Sequence, residues 1–532
     1  EMVIDPMRIR YCLEKALYLA KSGRPGPCWL DIPLNVQGAF VETEDLEGFD
    51  PEDYENGGTG WGTMGNIHAI PEDEAGKGEK RQLLPGKVSR ETADLILSKI
   101  RAAKRPVINA GNGIRIAGAH DVFMRVAEKL GIPVITGWDS EDCIWDEHPL
   151  YTGRAGNMGD RAGNFAIQNS DLVLSVGSRL SIRQVGYNYK TWARAAFVIA
   201  NDIDSEELKK PSVHADLAVH ADAKDLLEQL DGALDEILEK EGNQLAESLS
   251  KKGGKQLFGG GEGLPGMSWS ETCRMWKETY PVVQEKHWNF TDQEPANVYA
   301  AIQAISSRLK EDQITVVGNG SACVVGGHAY VIKKGQRFIT NSAVAAMGYD
   351  LPAAIGAWTA SRDSCCYSQG RDRSGEDLIL VTGDGSIQMN LQELQTIIHH
   401  KMGIKIFLIN NGGYHSIRQT QKNFFGEPLI GIGVDSGDLS FPDMEKLACA
   451  YGYPYIKAEH NSELAKAVEQ TLAAEGPVIC EIFVSMDQNF EPKSSAKRLP
   501  DGTLVSPPLE DLAPFLPEEE MDRNMIIPRI RE

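Results

Sequence analysis

Residues 378–411 decide the fold of this chain, and they read LILVTGDGSIQMNLQELQTIIHHKMGIKIFLINN. Two apolar runs, 378–381 and 404–409, have the length and composition of buried strands, and the stretch between them carries apolar residues at helical spacing. These helical positions are Met389, Leu391, Leu394, Ile397 and Ile398. A strand, a helix and a second strand in this order predict a right-handed parallel βαβ unit, and therefore an α/β domain.

Both predicted strands end in polar turns. The first strand runs into residues 383–386, which read GDGS, and the second ends at Asn410 and Asn411. Parallel strands end at the same edge of a sheet, so Asp384 and Asn411 are predicted to lie side by side where open α/β sheets bind ligands. The glycines allow close backbone approach, and a helix starting near Ser386 would direct free N–H groups at an anion. Because magnesium prefers hard oxygen ligands, we predict a phosphate site with Mg²⁺ on Asp384 and the Asn411 side-chain oxygen.

Length and composition narrow the class of protein. At 532 residues, with 42% hydrophobic and 24% charged residues, the chain is too long for one core, and roughly three domains are expected. A net charge of −22 without a basic stripe argues against nucleic acid as a partner. No apolar run approaches the roughly 20 residues that span a bilayer, so no membrane segment is predicted. Nine cysteines, an odd and scattered set, indicate free thiols in a reducing compartment, and no secretion signal is visible, so we expect a cytoplasmic protein.

The fold class predicted for the whole chain is α/β, with doubly wound parallel-sheet domains. Helical patterns alternate with short buried strands at 106–109, 133–136, 172–176 and 197–203, while a helix and a strand at 28–32 stand alone near the start. The predicted division is as follows: 1–42, the remnant of a domain; 43–88, an acidic Gly-rich linker; 89–240, a central Rossmann-like domain; 241–285, a second linker; 286–488, a domain that binds diphosphate and magnesium; and 489–532, an irregular C-terminal tail.

The Gly-Asp-Gly motif at 383–385, followed across a βαβ unit by Asn410 and Asn411, resembles the cofactor signature of thiamine-diphosphate-dependent enzymes. Within that superfamily the chain is most similar to the acetolactate synthase (acetohydroxyacid synthase) large subunits. The resemblance implies that Asp384, Asn411 and the backbone carbonyl of Gly413 bind Mg²⁺. It also implies that thiamine diphosphate is contacted through its diphosphate by Gly383, Gly385 and Ser386.

Two upstream segments extend this resemblance. Residues 340–354, TNSAVAAMGYDLPAA, resemble the family segment under the aminopyrimidine ring. By that resemblance Met347 would be the hydrophobic wedge, with an ordinary core residue as the alternative, and the Ala345 carbonyl would accept the amino proton. The turn at Asn319, Gly320 and Ser321 resembles a diphosphate-binding turn of the family, with an ordinary loop as the alternative. His415 lies close to the second metal ligand and is a candidate to face the substrate, although a structural role is the alternative.

The first half of the chain also follows the family. Residues 23–27 and 31–33 resemble the end of the pyrimidine-binding domain. The middle unit resembles the domain that holds flavin in acetolactate synthases, and candidate FAD residues are Gly111, Gly113, Gly177, Arg179 and Asp204. Relatives keep this domain without flavin, so both states remain open.

Two departures from the family pattern affect the functional prediction. The catalytic glutamate belongs to the pyrimidine-binding domain, and only the last helix and strand of that domain are recognised, so we expect roughly 150 residues to be missing ahead of Glu1. The second departure is Thr420, which stands where many acetohydroxyacid synthases carry a tryptophan beside the acceptor. A small hydroxyl there enlarges the pocket and predicts that a larger acceptor can enter.

These features give three functional hypotheses. The first is a decarboxylating carboligase that takes pyruvate, a small 2-keto acid, forms a hydroxyethyl-cofactor intermediate and adds it to a keto acceptor. The second keeps the donor but uses a larger ketone such as a nucleotide-linked keto sugar. The third is a non-catalytic chain that binds cofactor and serves as a partner. The resemblance implies a homodimer or homotetramer.

Overall fold

The computed structural model of the chain describes residues 1–59, 84–248, 258, 260–362, 375–498 and 504–530. Its N-terminal part is a small unit with a core of Val3, Tyr11, Cys12 and Val36. The helices of this unit are α1 (Ile9–Lys21), α2 (Leu34–Gln37) and α3 (Pro51–Glu55). The predicted helix is confirmed, whereas the strand predicted at 28–32 was wrong. Among the described residues, segment 28–32 pairs only through an isolated bridge between Asp31 and Met2, and Trp29 is 82% exposed.

The central domain is a six-stranded parallel sheet of strand order β3-β2-β1-β4-β5-β6, with helices on both faces. Its strands are β1 (Pro106–Ala110), β2 (Val134–Thr136), β3 (Tyr151–Arg154), β4 (Leu172–Val176), β5 (Phe197–Asp202) and β6 (Leu217–His220). Its helices are α4 (Arg90–Ala102), α5 (Gly113–Ile116), α6 (His120–Leu130), α7 (Arg161–Asn169), α8 (Ile182–Val185), α9 (Ser205–Lys209) and α10 (Ala223–Ser248). The strand order reverses between β1 and β4, which opens a crevice there.

The segment predicted as a second linker, 241–285, contains regular structure. The helix α10 extends into it, and α11 (Trp269–Thr279) follows, with Ser268 and Glu271 forming a capping box. Trp269 and Trp276 are fully buried against the central sheet. The Gly-rich composition around this helix concealed a short amphipathic element whose two indoles supply the apolar contact. A short helix, α12 (Glu285–Trp288), begins at the last residue of this segment.

A second six-stranded parallel sheet forms the C-terminal domain, in the order β11-β12-β10-β9-β7-β8. Its strands are β7 (Ile314–Val317), β8 (Arg337–Thr340), β9 (Leu378–Gly383), β10 (Ile404–Asn410), β11 (Tyr455–Ala458) and β12 (Val478–Phe483). Its helices are α13 (Val298–Arg308), α14 (Ser321–Ala329), α15 (Asp350–Ala360), α16 (Asp384–Ile387), α17 (Glu393–His399), α18 (His415–Phe424), α19 (Met444–Tyr451) and α20 (Asn461–Ala473). The predicted α/β class and the βαβ unit at 378–411 are both confirmed.

The C-terminal tail, predicted to pack as an irregular segment, packs on the central domain and includes short regular elements. It contains β13 (Lys497–Arg498), β14 (Leu504–Val505) and α21 (Glu518–Asn524). Leu509 and Met521 are buried in the apolar cluster that also contains Trp276, and the Trp276 indole donates to Asn524 at 2.8 Å. The Pro-rich, charged composition of the tail concealed these few apolar anchors.

A buried arginine of the central domain contacts the end of a helix in the C-terminal domain. Arg154, at the end of β3, is 4% exposed and donates to the carbonyls of Gly327, His328 and Tyr330 at 3.3, 2.9 and 2.7 Å. These carbonyls lie at the C-terminal end of α14, where a positive charge is favoured by the helix dipole. The central domain therefore holds one end of α14, and the other end begins at Ser321 in the predicted cofactor turn.

Among the helices of these described ranges, none has the length and apolar content to cross a bilayer.

Candidate active site

The residues predicted to bind the cofactor meet at one edge of the C-terminal sheet. The strand order reverses between β7 and β9, and the turns that follow β7, β9 and β10 converge there. They line a cavity of about 190 Å³. Its lining contains Asn319, Gly320, Ser321, Ala345, Met347, Gly383, Asp384, Gly385, Ser386, Asn411, Gly413 and His415, which is every candidate predicted for this domain.

Strand register places Asp384 beside the Asn411 turn. Ile409 of β10 pairs with Gly383, the last residue of β9, so β10 extends one residue further, to Asn410, before the Asn411 turn begins. The Asp384 carboxylate is 4% exposed and accepts the backbone N–H of Gly385 at 3.0 Å and of Gly413 at 2.8 Å. Burial raises the pKa of Asp384 to about 7, against the opposing effect of these two hydrogen bonds.

The Asn411 side chain lines the same cavity as this carboxylate. Its amide nitrogen donates to the Ser321 hydroxyl at 2.8 Å, which fixes the orientation of the amide. The amide oxygen is buried and has no hydrogen-bond partner. A buried polar atom without a partner costs free energy, and a cation bound between Asn411 and Asp384 would remove that cost. The donor set is all oxygen, which fits Mg²⁺.

No group of three His, Cys, Asp or Glu side chains is placed to bind a metal anywhere in the part of the chain that the structure describes. A cation at Asp384 would therefore depend on one carboxylate, one amide, backbone and the oxygens of a ligand. This is the usual arrangement for Mg²⁺ in phosphate sites, because the ion retains ligand and water oxygens.

Two side chains that the sequence analysis missed hold the Asn411 turn. Arg418, on α18, is fully buried and donates to the carbonyls of Asn411 and Gly412 at 3.1 and 3.0 Å, while Asp435 neutralises it at 2.9 Å. Glu481, on the neighbouring β12, accepts the side-chain amide of Asn410 at 2.6 Å. Neither residue belongs to the recognised motif, and each becomes visible only when strand pairing and helix orientation are known.

The turn after β9 differs in detail from the prediction. The helix begins at Asp384, two residues before the predicted start. A Cβ atom on Gly385 would lie 2.5 Å from the Tyr414 ring, so glycine is required there by ring packing as well as by any phosphate. The Ser386 hydroxyl donates to Asp350 at 2.9 Å and accepts the Gly348 N–H at 3.1 Å. Its backbone N–H is the group that can face a phosphate.

The opposite wall of the cavity is formed by Ala345 and Met347. Ala345 has a φ of +55°, which is unusual for a residue with a side chain and is a conformation retained at constrained sites. Met347 is 43% exposed, which excludes the interpretation that it is an ordinary core residue. A flexible thioether at a cavity wall can support the face of an aromatic ligand ring.

His415 lies at the start of α18 with its ring 4% exposed. Its Nε2 lies 2.7 Å from the Gln488 carbonyl, which can only accept, and 2.8 Å from the Gln419 side-chain amide nitrogen, which can only donate, so the two neighbours favour different tautomers of the ring. Burial lowers the pKa of His415 to about 4, which leaves the ring neutral. Its Nδ1 is buried without a partner beside the cavity, and it is an unused hydrogen-bond acceptor when Nε2 carries the proton.

Thr420 does not line the cavity. It is exposed on α18, one turn beyond Ser416, and its hydroxyl donates to the Ser416 carbonyl at 3.1 Å. Ser416 and Ile417 occupy the cavity wall on this side. The absence of a bulky side chain at 420 therefore affects the approach to the cavity and leaves its interior unchanged.

The candidate flavin residues surround a second cavity, of about 640 Å³, in the crevice of the central domain. Gly111, Gly113, Gly177 and Arg179 line it, and its volume is in the range of ligand pockets. Asp204 is not among the lining residues. It caps α9 through the Glu206 N–H at 2.9 Å and pairs with Arg24, whereas Asp202 faces the cavity.

The glycines of this second cavity have a packing role. A Cβ atom on Gly111 would lie 2.2 Å from the Ser178 Cα, and one on Gly113 would lie 2.8 Å from the Gly177 Cα. The two turns thus touch backbone to backbone, and this contact alone requires glycine.

Comparison with known proteins agrees with these observations. Residues 93–230 match the family model for the thiamine pyrophosphate enzyme central domain, and residues 318–482 match that for the C-terminal TPP binding domain. A probable acetolactate synthase large subunit of Methanococcus aeolicus is 27% identical over 92% of this chain and 71% of the relative. The acetolactate synthase large subunit of Lactococcus lactis is 28% identical over 90% and 70%. Acetolactate synthase isozyme 1 large subunit of Escherichia coli is 25% identical over 90% and 71%.

We predict that magnesium affinity of the metal-free protein depends on pH through Asp384. A protonated carboxyl is a poor ligand, and its pKa is raised to about 7, so affinity should fall about tenfold for each pH unit below 7 and level off above it. Calorimetric titration with Mg²⁺ at several pH values measures this slope. Asp384→Asn should bind weakly at every pH. A parent affinity that is constant across this range would contradict the prediction.

Proposed function

Because the chain belongs to the thiamine pyrophosphate enzymes, with both a central and a C-terminal cofactor-binding domain, we propose that it is a decarboxylating carboligase. The proposed reaction takes pyruvate as donor and adds a two-carbon unit to a keto acceptor. The relatives named acetolactate synthase support this choice. The observation that carries the proposal is the pair of buried oxygens at Asp384 and Asn411, one of them without a partner.

The residues of the cavity suggest how the cofactor would be held. Asp384, the Asn411 side-chain oxygen and the Gly413 carbonyl would bind Mg²⁺, and backbone N–H groups of the turns at 319–321 and 383–386 would bind the diphosphate. Ala345 and Met347 would hold the pyrimidine ring. When bound, thiamine diphosphate supplies an electron sink for loss of carbon dioxide from the keto acid.

The family resemblance also implies a glutamate that acts on the pyrimidine ring. The described residues that line the cavity include no glutamate. The proposed activity therefore requires one from another part of the assembled protein. The test is an assay of protein expressed from its full coding sequence. If that protein binds the cofactor and does not decarboxylate pyruvate, the non-catalytic alternative is favoured.

We also propose a homo-oligomer and flavin binding. Val344, Met347 and Ile417 are exposed apolar residues beside the cofactor cavity, and a second copy of the chain would remove them from water. The cavity at 111–113 has room for a nucleotide. Light scattering measures the mass of the purified protein, and its visible absorbance reports bound FAD. A monomer and a colourless protein that takes up no FAD would refute these proposals.

The cofactor site is tested by thermal unfolding with Mg²⁺ and thiamine diphosphate. At a ligand concentration of 100 times Kd the parent should gain about 2.7 kcal/mol, seen as a higher melting temperature. Asp384→Ala should show no ligand-dependent gain, because the buried metal ligand is lost. Asp443→Ala is the matched control, since it removes an aspartate that caps α19 and pairs with Lys446 outside the cavity lining, and it should keep the full gain. An equal gain in Asp384→Ala and the parent would place the cofactor elsewhere.

His415 is proposed to accept a hydrogen bond from the substrate or its product through Nδ1. Its replacement by Phe keeps a ring and removes the acceptor, and should lower kcat/KM for the keto acid about tenfold or more. Asn places an oxygen near the position of Nδ1, so His415→Asn should recover part of the loss. His400→Phe, on an exposed turn, is the control. Equal rates for His415→Phe and the parent would leave His415 a structural residue.

A second candidate function uses a larger acceptor, such as a nucleotide-linked keto sugar. The observation that favours it is the small polar side chain of Ser416 at the cavity wall, with the exposed Thr420 one turn farther along α18. An assay with pyruvate as donor and each acceptor in turn separates the two. Thr420→Trp should reduce the rate with the larger acceptor more than the rate with pyruvate. If neither acceptor is converted, the donor is a different 2-keto acid.

A further inference from the structure

Asp350, at the start of α15, is a fully buried carboxylate between the two walls of the cofactor cavity. It does not touch the cavity and is not among the residues that line it. Its two oxygens accept from the Thr382 hydroxyl and, at 2.9 Å, from the Ser386 hydroxyl. One side chain thus contacts both the end of β9 and the turn that follows it.

The hydrogen bonds continue through Ser386 to the opposite wall. Its hydroxyl has one proton, which is donated to Asp350, and the same oxygen accepts the Gly348 N–H at 3.1 Å. Gly348 directly follows Met347, and its carbonyl accepts the Asn390 amide at 2.7 Å. The wall that contains Ala345 and Met347 is therefore connected to the turn at 383–386 by a chain of polar contacts that starts at Asp350.

The surroundings of Asp350 are specific to a carboxylate. A Cβ atom on Gly318, which follows β7, would lie 2.3 Å from one carboxylate oxygen, so the glycine makes room for the acid. In the described ranges no lysine or arginine pairs with Asp350, and hydroxyls are its side-chain donors. Burial raises its pKa, which indicates how strongly the group is removed from water. Burying a carboxylate without a cation is costly, and the fold alone does not require it.

We propose that Asp350 is a positioning residue that sets the spacing between the two cavity walls, so that both ends of a two-part ligand can be held at once. The proposal rests on the proposed function, since the ligand is thiamine diphosphate with Mg²⁺. Its physical basis is that a ligand held at two ends gains affinity only when the two subsites are at the matching distance. Asp350 influences this distance through Ser386 and Gly348, without contact to the ligand.

The test compares a whole ligand with one of its halves. Calorimetry gives Kd for Mg²⁺ with thiamine diphosphate, and for Mg²⁺ with inorganic pyrophosphate, in the parent and in Asp350→Asn. Asn keeps the size of the side chain but replaces one acceptor oxygen by a donor. We expect Kd for thiamine diphosphate to rise about tenfold or more in Asp350→Asn, and Kd for pyrophosphate to change by less than about twofold.

Three results would overturn the proposal. An equal loss for both ligands would mean that Asp350 only shapes the diphosphate turn, and an unchanged Kd for thiamine diphosphate would mean that it positions nothing. In both of these outcomes the proposed function still stands, provided that the parent protein binds thiamine diphosphate. A parent that binds no thiamine diphosphate would refute the proposed function and this inference together.

Further variants keep the test independent of folding. Ser386→Ala removes the middle of the chain of contacts, and it should show the same selective loss; the double variant with Asp350→Asn should be no worse than Ser386→Ala alone. If Asp350→Asn does not fold, Ser386→Ala decides the outcome by the same criterion. Asp160→Asn is the matched control. Asp160 is also a buried aspartate at a helix start, bonded to the N–H groups of Arg154 and Gly163 in the central domain, and its replacement should leave both Kd values unchanged.

Discussion

The site depends on one constraint, the in-register parallel pairing of β9 with β10. Ile409 lies opposite Gly383, so β9 ends one residue before β10, and the residues that follow the two strands, Asp384 and Asn411, line the same cavity. A shift by one residue would turn Asn411 away from Asp384, and the two side chains could then not bind one cation. The crossover helices fix this register by packing on both sheet faces.

Around that pair, the protein uses buried polar groups to fix the backbone before any ligand arrives. Arg418 and Glu481 hold the turn from Asn410 to Gly412 from two sides, and Ser321 orients the amide of Asn411. Each of these contacts places a charge or a hydroxyl in a region with little water, which is costly unless the groups are paired. The preorganised turn leaves the Asn411 oxygen as the group without a partner, which is the property expected of a ligand site.

Much of this arrangement could be predicted from sequence because it follows from local rules. A strand, a helix of sufficient length and a second strand allow a single handedness, and this is enough to bring Asp384 near Asn411. Contacts between strands that are not consecutive in the chain were not accessible: Glu481 reaches Asn410 only because β12 pairs with β10, and the place of Asp350 depends on its contacts with Thr382 and Ser386. Composition also misled where few apolar residues determine packing. Trp269 and Trp276 in a Gly-rich stretch, and Leu509 in the tail, supply the contacts of segments predicted to be irregular.

The grip of Arg154 on the end of α14 has a consequence for the evolution of the chain. Because a central-domain side chain satisfies the last carbonyls of a helix whose first residue borders the cofactor turn, the two domains share one structural element. Their sequences are therefore coupled at this contact. If the central domain were replaced by that of a relative, the new domain would need a hydrogen-bond donor at the position of Arg154. Without that donor the C-terminal end of α14, the end away from the cofactor turn, would fray.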